Sequence, residues 1–119
     1  MRTIIAGPRD FTEAACLLTA LRESQFVITE VVSGGAPGID TLGEQWAEKQ
    51  GIPVKRFPAD WDKFGRAAGP IRNKQMAEYA EQLLACWDGQ SRGTCDMIRT
   101  ARKQGLNVYV YIPPVWREP

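Results

Sequence analysis

Short, apolar, β-rich runs alternate with segments of helical spacing along the whole chain, and Gly or Pro stands at nearly every junction. Such alternation dictates strand–helix–strand units, because two strands paired in parallel need a crossover between them and a helix supplies it. A first strand is expected over Thr3 to Ala6, ending at Gly7-Pro8. Ala14, Leu17, Leu18 and Leu21 then recur at helical spacing on one apolar face, with Thr12 placed to cap the helix. A second strand lies within Val27 to Ser33 and breaks at Gly34-Gly35. The next helix carries Ile39, Leu42, Trp46 and Ala47 on one face and stops near Gly51-Ile52-Pro53. Pro53 to Phe57 reads as a third strand, and Lys55 and Arg56 put it at a sheet edge. A functional loop of about a dozen residues, Ala59 to Gly69, follows. Pro70 suits the first turn of a helix running through Ile71, Met76 and Tyr79. Leu83 to Trp87 is continuously apolar, the mark of a central strand. After a loop from Asp88 to Gly93 come a helix over Thr94 to Gln104, a cap at Gly105 and a last strand, Val108 to Ile112, ended and blunted at a sheet edge by Pro113-Pro114.

Five strands joined by four helices through right-handed crossovers make a three-layer α/β sandwich of the doubly wound kind, with a mainly parallel sheet of expected order 3-2-1-4-5. The chain of 119 residues fits one domain, 1–119. Ligands of such sheets sit at the carboxyl ends of the strands, beside the reversal of strand order. Here the reversal falls between the first and fourth strands, so the loops at Gly7 and Gly89 are expected to flank the crevice.

Composition narrows the chemistry. Fifteen Lys and Arg against 14 Asp and Glu leave a formal charge of +1, too little to hold the chain to bulk nucleic acid or an anionic membrane by net charge. There is no histidine, which removes Ser-His-Asp and Cys-His nucleophile pairs, histidine-ligated metals and imidazole proton shuttles. Cys16, Cys86 and Cys95 are too scattered for a disulfide framework or a zinc site, so no metal is expected and a reducing cytoplasm fits. No apolar run approaches the roughly 18 residues of a membrane span, and the start of the chain lacks the apolar region of a signal peptide.

The most informative stretch is Ser33-Gly34-Gly35-Ala36-Pro37-Gly38-Ile39-Asp40, which leads from a strand into a helix. Its glycines let the backbone turn sharply and approach a ligand, and the free amides of a helix start offer donors to a phosphate or carboxylate. The same residues also suit a tight turn with Asp40 as helix cap, and both readings stay open. No Lys-Ser/Thr follows, so a triphosphate-binding Walker loop is excluded. Arg9, directly after a strand, points over the crevice, where a guanidinium grips phosphate. Arg66 and Arg72 flank Gly69-Pro70 as a second anion site. Between Lys49 and Lys74 seven basic residues face two acidic ones. Within this basic stretch Trp61 and Phe64 either stack on a base or pin the loop to the core. Trp46 reads as core, and Trp87 as either. In the fourth loop Gly89, Ser91, Gly93 and Thr94 offer donors to a phosphate or ribose, and Asp88 is a carboxylate able to bind ribose or act as a base. Cys95 is read as packing.

The Ser33–Asp40 stretch resembles the SGGARGID signature of the DNA-processing protein A (Smf) family, with Pro37 where that family commonly has Arg. Gly7-Pro8-Arg9-Asp10-Phe11, Trp46-Ala47, Phe57-Pro58-Ala59-Asp60-Trp61 and the run from Phe64 to Met76, which includes Gly69, Arg72 and Asn73, together resemble the small YspA-type branch of the SLOG superfamily. That superfamily also contains the Lonely Guy phosphoribohydrolases. The resemblance implies a Rossmann-like domain that binds nucleotides, nucleotide derivatives or nucleic acid, and suggests a homodimer. The PGGxGTxxE run that carries the catalytic Glu of the Lonely Guy enzymes is missing, and Glu44, four residues after Asp40, is a loose substitute. Pro37 removes a guanidinium and one amide from the cradle.

Three functions are therefore weighed. The first is binding of a small phosphorylated, nucleotide-like ligand, with no cofactor. The second is hydrolysis of an N-glycosidic bond in a nucleoside monophosphate, with Asp40, Glu44 or Asp88 as the carboxylate and Arg9 or Arg72 anchoring phosphate. The third is weak, salt-dependent binding of single-stranded nucleic acid along the basic loop.

Overall fold

Adjacent apolar residues in the strands point to opposite faces of the sheet, and each face needs its own cover. In the computed structural model, which describes residues 1–114, five strands satisfy this: β1 (Arg2–Ala6), β2 (Glu30–Ser33), β3 (Val54–Arg56), β4 (Gln82–Cys86) and β5 (Asn107–Tyr111). The last five residues of the expected 1–119 domain lie outside the described residues. All neighbouring strands pair in parallel, in the order β3-β2-β1-β4-β5. The expected order therefore holds, with its reversal between β1 and β4.

Ile4, Val32, Leu83 and Ala85 face one layer with Met76 and Ala77 of α4 (Ala68–Tyr79) and Met97, Ile98 and Ala101 of α5 (Arg92–Lys103). Ile5, Val31, Leu84 and Cys86 face the other, with Leu17 and Ala20 of α1 (Ala14–Ser24) and Ile39 and Ala47 of α2 (Ile39–Gln50). This is the three-layer α/β sandwich the alternation dictates.

The differences from expectation have local causes. Thr12 caps nothing: α1 opens after Glu13, which is extended and whose side chain makes no capping hydrogen bond. The buried stripe of α1 is Leu17, Ala20 and half-buried Leu21, so Leu18, a residue's rotation away from Leu17, faces solvent. The segment from Ala59 to Gly69 is not a bare loop. Asp60 accepts a hydrogen bond from the Lys63 amide (3.1 Å) and starts the short α3 (Trp61–Phe64), a 3-10 turn follows over Gly65–Ala67, and α4 begins at Ala68. The described residues thus hold five helices where four were expected. β4 starts at Gln82, one residue before the apolar run, because the Gln82 amide is satisfied inside the core by Thr3 Oγ1 (2.8 Å) and the Val27 carbonyl (3.2 Å). β3 lies at the edge with Lys55 and Arg56 exposed, and β5 forms the opposite edge.

Candidate functional site

At the carboxyl ends of β1, β2 and β4 the connections that follow them part to leave a cleft of about 1030 Å³, bordered also by α3, α4 and α5. A volume of that size holds a mononucleotide or a larger nucleotide derivative. Of the residues singled out from the sequence, Gly7, Arg9, Gly34, Gly35, Asp40, Glu44, Trp61, Gly69, Arg72, Asn73, Ser91, Gly93 and Thr94 line it. Ser33, Gly38, Arg66, Asp88 and Gly89 do not. Arg66 lies exposed in the 3-10 turn. Asp88 folds back on its own loop, its Oδ1 accepting from the amides of Gln90 (2.9 Å) and Ser91 (2.7 Å), and Gly89 sits within that turn.

Two glycines allow the α2 loop its position. Gly38 has φ +79°, ψ −128°, and a β-carbon there would fall 2.3 Å from the Pro8 carbonyl oxygen. Only a residue without a side chain brings the loop against the Pro8–Arg9 connection. At Gly34 a β-carbon would meet Arg72 Nη1 at 2.3 Å. That contact marks the centre of the site. Arg72, half-buried on α4, donates from Nη1 to the Gly34 carbonyl (2.8 Å) and from Nε to Asn73 Oδ1 (3.0 Å). Asn73, itself buried, donates to Asp96 Oδ2 (2.9 Å) and more loosely to the Gly93 carbonyl (3.5 Å). A continuous polar chain thus ties the loop after β2 to the start of α5 across α4. Ser33 and Glu44 brace the other side: Ser33 Oγ accepts from the Gly35 amide (3.0 Å) and donates to Glu44 Oε2 (2.6 Å), while Arg56 donates from Nε and Nη2 to Glu44 Oε1 (2.9 and 2.6 Å).

The electrostatics follow from burial. Asp40 is 6% exposed, and desolvation pushes its carboxyl up to about 6, with the charge of Glu44 adding to the rise. The Ala36 and Gly34 amides and the Arg72 guanidinium pull the other way. Arg72 is itself lowered by burial first and by the charge of Arg9 besides, while Asp40 opposes the fall. Arg9 is exposed and forms no ion pair with the described residues. Two guanidinium groups therefore line one cleft, and Arg9 adds to the cost of the Arg72 charge, an arrangement that an anion between them relieves.

Trp61 stands 53% exposed at the rim, its ring edge against Gly69, and Phe64 is 40% exposed with Lys63 Nζ 5.1 Å from its ring centre. Trp46 is partly buried against the core, as expected. Trp87 has a structural task, its Nε1 donating to the Ser91 carbonyl (3.1 Å) and so holding the loop between β4 and α5. Sequence reasoning passed over Arg92 and Asp96 and read Arg56 only as part of the edge strand and the basic stretch; all three also line the cleft. Asp96 was discoverable: it lies two residues beyond Thr94, at the same helix start. Among the described residues no helix is long and apolar enough to cross a membrane, and no group of three or more Cys, Asp or Glu side chains is placed to hold a metal ion.

Similarity to known proteins agrees with this architecture. The X-ray structure of DNA processing protein A (DprA) from Streptococcus pneumoniae superposes with a TM-score of 0.70 over 92% of this chain, at 17% identity, a likeness of fold. The chain spans about half, 49%, of that protein. The Gene 61 protein of Mycobacterium phage D29 is 33% identical over 117 residues, which cover 90% of this chain and 93% of the phage protein. A family model matches residues 1–64, the part of the chain that carries β1, β2 and the Gly34–Asp40 loop, and by that match and the phage relative the chain belongs to the YspA, cpYpsA-related SLOG family.

Proposed function

We propose that the cleft binds a small phosphorylated, nucleotide-like ligand. The observation that carries this is the pair Arg9 and Arg72, which line one cavity, Arg9 adding to the cost of the Arg72 charge, with no acid paired to Arg9 among the described residues. The start of α5, with Ser91, Gly93 and Thr94 on the lining, adds amide and hydroxyl donors and the positive end of a helix dipole. Trp61 offers an aromatic face at the rim for a base. The test is calorimetric titration with nucleoside mono- and diphosphates, ADP-ribose and cyclic nucleotides. At least one should bind with a sub-millimolar Kd, and Arg9→Ala should weaken it by about tenfold, the value of a charge-assisted phosphate contact. Failure of every ligand to bind below millimolar overturns this reading. The homodimer suggested by the family resemblance belongs to the same reading and is measured by sedimentation of the same samples.

Two observations favour further activities of the same site. Asp40 is the cleft carboxylate raised toward neutral pH, where an acid or base works best, so it is the group an N-glycosidic hydrolysis would use. Glu44 is engaged by Ser33 and Arg56, and Asp88 by its own turn. Free base released from a nucleoside monophosphate, and lost in Asp40→Asn, supports this; a clean preparation that releases none removes it. Exposed Trp61 and Phe64, set among Lys55, Arg56, Lys63, Arg66 and Lys74, match a weak single-strand binder, as does the fold shared with a DNA-processing protein. A labelled oligonucleotide whose anisotropy is unchanged at low salt excludes it.

A further inference from the structure

The loop that the sequence marks as an anion cradle already holds an anion, and that anion is the protein's own. Asp40 Oδ2 accepts from the Ala36 amide (3.4 Å), and the Gly34 amide also favours its charge. The Gly35 amide is given to Ser33 Oγ, Pro37 has no N–H, and the Ile39 amide turns to the Pro8 carbonyl (3.4 Å). The backbone at Gly34 runs between Asp40 and Arg72: a β-carbon there would lie 3.0 Å from Asp40 Oδ2 and 2.3 Å from Arg72 Nη1. Asp40 nevertheless lines the open cleft.

We propose that Asp40 decides what the Gly34–Asp40 loop accepts. Ionised, it fills the anion position, turns a ligand's phosphate toward Arg9 and the start of α5, and leaves the loop side to hydrogen-bond donors such as ribose hydroxyls. Protonated, it frees the Ala36 amide for an oxyanion and can donate its own O–H to that oxyanion, so one proton enters from solvent for each oxyanion bound there. The assignment rests on the reading of the cleft as a site for phosphorylated ligands.

The surroundings single Asp40 out. Arg72 faces it from α4, and Arg9, on the connection after β1, lines the same cleft and acts on Arg72. Glu44 lies one turn further along α2, with its oxygens taken by Ser33 of β2 and Arg56 of β3. Asp96 of α5 accepts from Asn73. Asp40 is the most buried of these carboxylates and the most loosely held, and its burial raises it to about 6, within reach of neutral solution.

The test is calorimetric titration of the full chain with sulfate, whose charge is constant across the range, at about pH 5 and about pH 7 in buffers of different ionisation enthalpy. A group titrating near 6 makes sulfate bind about tenfold more weakly at the higher pH, with about one proton taken up per sulfate there. Asp40→Asn should abolish the uptake and bind at both pH values as the native chain does at the lower one. Sulfate affinity independent of pH, absence of proton uptake in the native chain, or uptake that persists in Asp40→Asn overturns the assignment. The native-chain profile decides the matter even if the variant fails to fold. A chain that binds nucleotides but takes up no proton with sulfate removes only the role of Asp40, whereas one that binds neither removes the cleft reading as well.

Discussion

Gly35 and Gly38 sit three residues apart in one loop, both with positive φ (+73° and +79°), yet they should respond very differently to alanine. At Gly35 a β-carbon meets nothing within 4 Å, so Gly35→Ala adds only the left-handed backbone strain, about 1–2 kcal/mol. Gly38 combines its positive φ with ψ −128°, a region nearly reserved for glycine, which costs about 1–3 kcal/mol for any other residue. Its β-carbon would also fall 2.3 Å from the Pro8 carbonyl oxygen and 2.6 Å from that of Arg9. Both are backbone atoms that cannot swing aside, so the loop must lift from the β1–α1 connection, at about 1–3 kcal/mol more for overpacking. Gly38→Ala should therefore destabilise by about 4 kcal/mol, at least double the effect at Gly35. Urea unfolding followed by far-UV circular dichroism measures both, with the m-values confirming that the transition is unchanged. Because Arg9 belongs to the displaced connection, any folded Gly38→Ala should also lose nucleotide affinity. Equal losses of stability would refute the close approach of the two segments.

Three other expectations follow from the same geometry. Asp40 has its folded pKa raised from 3.8 to about 6, so it binds protons more tightly folded than unfolded; the stability this gives is complete below about pH 4 and is lost as pH rises through 6. Asp40→Asn should accordingly match the native chain near pH 4 and exceed it by about 3 kcal/mol near pH 7.5, and urea curves showing no growth of that gap would contradict it. Asn73→Ala removes the acceptor of Arg72 Nε and the donor to Asp96 in a buried position, and should cost about 2 kcal/mol; combined with Arg72→Met the losses should fall short of additivity by about 0.5 kcal/mol or more in a double-mutant cycle. Cys86 is fully buried and burial pushes its thiol up to about 12, so mass spectrometry after alkylation near neutral pH should find it unmodified until the chain unfolds, and early labelling of Cys86 would contradict its place in the sheet.

The fold was legible because it depends on periodicity. The apolar pairs Ile4-Ile5, Val31-Val32 and Leu83-Leu84 announce strands covered on both faces, and Lys55-Arg56 announce the edge. What was not legible depended on single polar partners far away in sequence. Gln82 extends β4 because Thr3 and Val27 satisfy it, and no local pattern around Gln82 says so. The same holds at the site. The glycines, Arg9 and Arg72 were identifiable from their places after strands and at helix starts. That Arg72 would reach back 38 residues to the Gly34 carbonyl, that Asn73 would link it to Asp96, and that Asp40 would occupy the loop's own amides required the crossing of α2, α4 and α5 at one end of the sheet. Asp60, by contrast, carried a legible signal: an acid three residues before Lys63 caps a short helix where length alone suggested a loop.

The most direct measurement of whether the strand ends form one anion-binding cleft is chemical-shift mapping of amides in the nitrogen-15-labelled chain during titration with a nucleoside phosphate. The largest shifts should cluster at Gly7 to Arg9, Gly34 to Asp40, Arg72-Asn73 and Ser91 to Thr94, and should saturate together with one Kd. Shifts confined to the exposed basic surface around Lys63 and Lys74, or spread without saturation, would contradict it.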